Sequence, residues 1–221
     1  MIKPVIGIVA TSNYMLTDDC FADHYRFGNN YIKKIIENGA LPYLIPVCND
    51  EMIEECMQNV DGVIFPGGER VTKFSMQIMD YCYKHKVPVL GICLGMQTMA
   101  MYSVNMEKEK RIIKKKDGHW PIQILRANSD ETVHKDFIDR DSKWYKIIGK
   151  QEIDVNSIHH CVVGEVGSKF RVSIKSYDGE IEGIEYKNDD RLMIGVQFHP
   201  EVLPQFNGIF EYFIKECEKR R

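Results

Sequence analysis

The sequence has no apolar run near the roughly 18 residues that a membrane-spanning helix needs. Its start, Met1-Ile2-Lys3-Pro4-Val5, lacks the charged and apolar regions of a secretory signal. It also has no C-x-x-C pair. The cysteines stand at 20, 48, 56, 82, 93, 161 and 217, an odd set whose spacing suggests neither a disulfide framework nor a zinc knuckle. Free thiols without an export signal lead to the expectation of a reducing, cytoplasmic setting. No sign of charge dominates: the formal net charge is -3, with both signs spread along the chain. That leaves no electrostatic footprint for nucleic acid, and no membrane partner is expected. The densest basic run, Lys108 to Lys116, is broken by Glu109, Ile112 and Ile113 and reads as a solvated helix face or a surface loop. Internal repeats and low-complexity linkers are missing as well.

What is present is the composition of an ordinary globule, 44% apolar and 28% charged over 221 residues. That length fits one domain over residues 1–221, and such a domain buries roughly three quarters of its unfolded surface. Short apolar runs alternate with amphipathic stretches through the first half. Val5 to Val9, Leu41 to Ile45, Gly62 to Phe65 and Val87 to Ile92 read as buried strands. Between them, Tyr31, Ile32, Ile35 and Ile36 form a helical stripe closed by Asn38-Gly39; Asp50 to Met57 is helical in composition, and Phe74, Ile78 and Cys82 mark a further helix face. A helix is expected from Leu94. Continuous apolar strands alternating with helices predict an α/β fold: a doubly wound, mostly parallel sheet with helices on both faces. In such sheets ligands bind beyond the carboxyl ends of the strands, where Gly67-Gly68 and Cys93 both fall. The second half adds a small antiparallel extension. Lys169 to Lys175 and Ile181 to Tyr186 flank a turn at Asp178-Gly179, and Leu192 to Phe198 is a strand that delivers His199. Leu203, Phe206, Ile209, Phe210, Phe213, Ile214 and Cys217 share one face of a last helix. Residues 103–150 are charged and weakly periodic and give no clear elements.

The chemistry centres on Gly91-Ile92-Cys93-Leu94-Gly95, a G-x-C-x-G at the end of a strand and the start of a helix. This is the cysteine form of a nucleophile elbow. A sharp strand-to-helix turn strains the nucleophile's backbone and leaves room only for glycine two positions either side. It sets the sulfur at a helix N-terminus, which favours the thiolate. A lone cysteine is more often a buried core thiol; the elbow spacing reverses that preference. The second feature is Gln197-Phe198-His199-Pro200-Glu201. A thiol hydrolase needs an imidazole to hold the thiolate and protonate the leaving amine, and a carboxylate to orient that imidazole. His199 and Glu201 can supply both if Pro200 turns the chain; otherwise the stretch is a loop entering a helix.

Together these stretches resemble the class I glutamine amidotransferase superfamily, whose fold is flavodoxin-like. The resemblance runs through nearly the whole chain: Phe65-Pro66-Gly67-Gly68, the elbow with Met96-Gln97, and the Q-F-H-P-E at 197–201. Val155-Asn156-Ser157-Ile158-His159-His160 is similar to the V-N-S-x-H-H-Q signature of the γ-glutamyl-γ-aminobutyrate hydrolase branch, peptidase C26. Tyr177-Asp178-Gly179-Glu180-Ile181-Glu182-Gly183-Ile184 looks like the same branch's P-D-G-x-I-E-x-I hairpin. The resemblance implies a γ-glutamyl thioester on Cys93, with His199 as general base and acid and Glu201 as its orienter. It implies an oxyanion hole from the N–H of Leu94 and an N–H at Gly67-Gly68, taken as Gly68, each such donor being worth about 3 kcal/mol of barrier. It also implies that Gly67, Gln97, Ser157, His159 and His160 line the glutamyl pocket. No cofactor is expected. A metal is not expected either, because no carboxylate or cysteine joins the paired histidines at ligand spacing.

The sequence departs from the branch on the leaving-group side. Glu69-Arg70-Val71-Thr72 stands where the branch has G-G-x-D-V-x-P, Leu94 where it often has arginine, Cys161 in place of the glutamine, and Tyr102-Ser103-Val104 where a Gly-Gly pair would follow the elbow helix. Three functions stay open: a free-standing hydrolase of a γ-glutamyl amide, a glutaminase subunit feeding ammonia to a separate synthetase, and a regulatory protein that kept the fold without the chemistry. The intact Cys93, His199 and Glu201 set argues against the third. A small-molecule γ-glutamyl substrate is expected; a homodimer or a synthetase partner is left open.

Overall fold

The computed structural model describes residues 2–12, 25–107, 112–115 and 133–220. The chain begins with β1 (Val5–Ile8), a two-residue ladder of β2 (Thr11–Ser12) with β3 (Tyr25–Arg26), α1 (Asn29–Glu37), β4 (Leu41–Leu44), α2 (Ile53–Met57), β5 (Gly62–Phe65), α3 (Lys73–Lys84), β6 (Val89–Ile92) and α4 (Leu94–Asn105). It continues with β7 (Ile113–Lys115), β8 (His134–Ile138), α5 (Lys143–Ile148), β9 (Glu152–Val155), β10 (Cys161–Val163), β11 (Phe170–Ser176), β12 (Ile181–Tyr186), β13 (Met193–Val196) and α6 (Asn207–Glu218).

One sheet runs through the molecule in the order β4-β1-β5-β6-β13-β12-β11-β8-β9, with β10 and β7 branching from β12. From β4 to β13 the strands are parallel. Their order, 2-1-3-4-5 counted along the parallel strands, is the flavodoxin-like arrangement. From β13 onward every pairing is antiparallel. The expected α/β architecture with an antiparallel extension is therefore the one observed.

Alternation along the strands sends side chains to two cores. Ile64, Leu90 and Ile92 join Tyr31, Ile35, Trp144, Phe210 and Phe213 on the face covered by α1, α5 and α6. Val63, Phe65 and Val89 join Met57, Ile78, Met79, Met96 and Met99 on the face covered by α2, α3 and α4. The central strands β5, β6 and β13 are buried at every position, which is why they read as unbroken apolar runs.

Three expectations need adjusting. In α1 the stripe centres on Tyr31 and Ile35, and Ile36 is exposed. The last helix starts at Asn207, later than its apolar spacing suggests. Leu203 and Phe206 are buried from two single-turn 3-10 helices, Pro200–Val202 and Pro204–Phe206. Pro204 forces Leu203 into an extended conformation and so breaks the helix that the stripe alone would allow. In the basic run, Ile113–Lys115 is a strand paired with β10, with Ile112 buried and Lys114 and Lys115 exposed. Lys108 to Arg111 and Lys116 lie outside the described residues. Among the described residues no helix is long and apolar enough to cross a membrane.

Candidate active site

β6 ends at Ile92 and α4 begins at Leu94, so Cys93 makes the entire turn between them. It does so with φ 51° and ψ -106°, a conformation that a residue with a side chain adopts only under strain. Its N–H donates to the carbonyl of Val196 at 2.8 Å, fastening the turn to β13. The flanking glycines have separate causes. A Cβ on Gly91 would lie 2.7 Å from the carbonyl carbon of Gly95, the clash across the elbow that the sequence predicts. A Cβ on Gly95 would lie 2.0 Å from the carbonyl oxygen of Phe65, so that glycine is required by the neighbouring strand β5.

His199 follows β13, and Pro200 opens a single 3-10 turn that swings Glu201 back beneath the ring. Its Nδ1 lies 2.7 Å from Glu201 Oε1. The Cys93 side chain lies close enough to the imidazole to act on its charge. Burial by itself disfavours the imidazolium, but the influence of Glu201, then of Cys93, outweighs it, and His199 is held well above the ordinary imidazole value. The triad residues predicted from sequence thus meet in space. The ring's backbone is clamped by Asn156: His199 N–H donates to Asn156 Oδ1 at 2.8 Å, and Asn156 Nδ2 donates to the His199 carbonyl at 3.1 Å.

Tyr31 is a site residue that the sequence pattern alone places in the core stripe of α1. Its side chain is buried, and its hydroxyl accepts from the Gly67 N–H at 3.0 Å, close enough to Glu201 to feel the carboxylate's charge. Burial, then the Glu201 charge, pushes the phenol well above its usual value, so the hydroxyl keeps its proton. The signal was there to find: a tyrosine in an otherwise aliphatic stripe has to find a partner for its hydroxyl.

The Gly67 N–H is engaged by Tyr31, so the oxyanion-hole expectation rests on Gly68 and Leu94. Gly68 sits against Leu94, whose Cδ2 would be 3.0 Å from an added Cβ, and the Leu94 N–H belongs to the first turn of α4, where helical partners are lacking. Gly67 has to be glycine, because a Cβ there would come within 2.6 Å of His199 Cε1. Gln97 is buried and spends its amide nitrogen on the Cys161 carbonyl at 3.2 Å and on Gln197 Oε1 at 3.1 Å. It ties β10 and the end of β13 to the elbow helix. Ser157 and His159 are buried together, with Oγ and Nε2 3.1 Å apart, whereas His160 is exposed. The adjacent histidines are therefore not equivalent members of one pocket.

A model of the family described as Peptidase C26 matches residues 4–73 and 72–201. The chain belongs to the Peptidase C26 family. It is an amidohydrolase of the class I glutamine amidotransferase type. It is 32% identical to the glutamine-hydrolyzing GMP synthase subunit of Methanococcus aeolicus, over 86% of this chain and 94% of that one. It is 23% identical to gamma-glutamyl-gamma-aminobutyrate hydrolase PuuD of Escherichia coli, over 99% of this chain and 95% of that one. Among solved structures, the glutaminase domain of Trypanosoma brucei CTPS with bound acivicin superposes with a TM-score of 0.69 at 15% identity, covering 98% of this chain and 94% of that one.

Within this C26 chain, one argument from spacing fails once the chain is folded. No carboxylate or cysteine joins His159 and His160 at ligand spacing in the sequence, yet His159 Nε2 lies 3.7 Å from Glu182 Oε1, and His134 joins the same cluster. The absence of ligand spacing along the chain therefore does not exclude a metal. A cavity of about 820 Å³ lined by Met76, Tyr81, Tyr102 and Met106 lies at the far end of α4 from Cys93 and includes no triad residue.

Proposed function

We propose that this C26 protein hydrolyses the γ-glutamyl amide bond of a small γ-glutamyl conjugate through a thioester on Cys93. The observation that carries the proposal is the Cys93–His199–Glu201 chain of contacts at the N-terminus of α4. In this reading the thiolate attacks the γ-carbonyl carbon, and the oxygen takes the electron pair while the N–H groups of Gly68 and Leu94 donate to it. The His199 imidazolium gives its proton to the amine, which leaves as the tetrahedral intermediate collapses to the thioester. The now neutral His199 takes a proton from water; hydroxide adds to the thioester carbon, and glutamate departs as the Cys93 thiolate re-forms. Glu201 keeps the imidazole's Nδ1–H toward itself throughout, with the buried Tyr31 hydroxyl nearby.

A second reading, a glutaminase subunit that delivers ammonia to a separate synthetase, is favoured by Leu94 and by the 32% identity to the GMP synthase chain of Methanococcus aeolicus. The free-standing hydrolase is favoured by the V-N-S-x-H-H stretch and the hairpin at residues 177–184. The deciding experiment is to incubate the purified chain with glutamine, γ-glutamyl-anilide and a panel of γ-glutamyl amines, and to measure glutamate. Release from an amine conjugate by the isolated chain supports the hydrolase. Silence toward every conjugate, with glutamine hydrolysis appearing once a synthetase is added, replaces it with the second reading.

A further inference from the structure

The antiparallel extension gathers titratable side chains that the proposed reaction does not use. His134 and Asp136 stand on β8, Glu182 stands on β12, and His159 lies in the loop between β9 and β10. The chain positions are remote, but β8 and β12 both pair with β11, and that loop folds over them. Asp136 and Glu182 are wholly inaccessible, His159 is 3% exposed, and the His134 side chain is 6% exposed. One ligand atom each from His134, His159 and Glu182 fall within 4.8 Å of one another.

The surroundings of the two imidazoles resemble those of metal ligands. A metal-bound histidine characteristically turns its other ring N–H to a carboxylate or a backbone carbonyl, which fixes the tautomer. His159 Nδ1 lies 3.1 Å from the carbonyl of Cys161, so it carries the hydrogen, and Nε2 is left with its lone pair. That Nε2 lies 3.7 Å from Glu182 Oε1 and 3.1 Å from Ser157 Oγ. His134 Nδ1 lies 3.0 Å from Asp136 Oδ1, so a carboxylate stands beside the second ring in the same way.

We propose that His134, His159 and Glu182 bind a divalent first-row cation of the zinc type, with Asp136 and the Cys161 carbonyl orienting the two rings. Tetrahedral zinc bonds of about 2.0–2.2 Å set ligand atoms roughly 3.4 Å apart, so small side-chain rotations close the cluster onto an ion. The Ser157 hydroxyl or a water completes the fourth position. The ion's task is to brace the fold: it joins β8 and β12 to the loop that begins at Asn156, the residue gripping His199. The site does not depend on which γ-glutamyl substrate is cleaved.

The test uses the full chain and its Cys93→Ser variant, each stripped with a chelator and titrated with cobalt(II) and with zinc(II). The expected result is one equivalent bound by both proteins. The cobalt spectrum should be that of a nitrogen–oxygen donor set, and the melting temperature should rise on loading. Asp136→Asn should weaken binding about 10- to 100-fold, and Glu182→Gln or His134→Gln should remove stoichiometric binding. The proposal is overturned if wild-type chain takes up no metal saturably, or if affinity survives both ligand substitutions. It is equally overturned by a thiolate-to-cobalt band that vanishes in Cys93→Ser, which would put the ion on the catalytic pair. Should the substituted proteins fail to fold, the stoichiometry and spectrum of wild type and Cys93→Ser decide by themselves.

Discussion

Asn156 closes a two-point clamp on the backbone of His199, accepting from its N–H at 2.8 Å and donating to its carbonyl at 3.1 Å. The clamp crosses from the loop after β9 to the end of β13. The V-N-S-x-H-H stretch is thus tied to the triad mechanically, whatever amine is released. Asn156→Ala removes both bonds and leaves two backbone groups short of partners. The expected loss is about 2–3 kcal/mol of stability, read from denaturant unfolding. The ring should also drift, and a misplacement of about 1 Å costs around 100-fold in kcat. An unchanged kcat in a destabilised protein would show that the clamp does not position the ring.

The triad was legible before the fold because each of its members sits in a short local pattern. A glycine at 91 and 95 and a proline at 200 advertise a backbone that must turn sharply. What stayed hidden was contact between remote segments. Asn156 read as part of a signature, Tyr31 as core, and Glu182 as part of a hairpin; their partners come from other strands, and no local period records that. Residues 133–150 were lost for a different reason. Strand β8 alternates buried and exposed positions, but His134 and Asp136 occupy inward ones, so its apolar pattern is masked by buried charge. Helix α5 did carry its signals: Ser142 caps it by accepting from the Tyr145 N–H, and Gly149 ends it with φ 74°. At six residues it was too short to show a periodic face.

Tyr31→Phe deletes the hydroxyl that bridges α1 to the Gly67 N–H beside the Glu201 carboxylate. The ring and its packing stay, so the change isolates the bridge. A loss of about 1–2 kcal/mol is expected, equivalent to roughly 5- to 30-fold in kcat/KM if the bridge acts on the transition state. The loss should fall on kcat, since the hydroxyl faces the triad's carboxylate. A purely structural tyrosine would lower the melting temperature and leave kcat alone.

Glu201→Gln probes the charge that sustains the imidazolium. The carboxylate is the leading influence that raises His199, so its neutralisation lowers the folded value. The sign follows directly. In wild type the imidazolium's contribution to stability is complete below the unfolded value of about 6.5 and disappears as pH rises through the raised folded value. In the variant that disappearance moves to lower pH. The pH titration of the His199 ring proton resonances should show the same displacement, because the ring loses its charge earlier. A ring titration that does not move on the pH axis would mean that Glu201 does not control the ring's charge.

The elbow strain gives a stability order opposite to that of an ordinary helix terminus. At φ 51° and ψ -106°, position 93 suits a residue without a Cβ. Strain of this kind costs on the order of 1–3 kcal/mol, held in place by the Val196 bond and by β5 pressing on Gly95. Cys93→Ala keeps the Cβ and therefore the strain; Cys93→Gly releases it. Both abolish turnover, and both lose the thiol's contacts, so the comparison between them cancels those terms. Cys93→Gly should be the more stable of the two by about 1–2 kcal/mol in denaturant unfolding. In the interior of a helix the same exchange would favour alanine by about 1 kcal/mol. If alanine is the more stable at position 93 as well, the nucleophile's backbone is not strained, and glycine rests on close packing alone: against the Gly95 backbone at position 91 and against β5 at position 95.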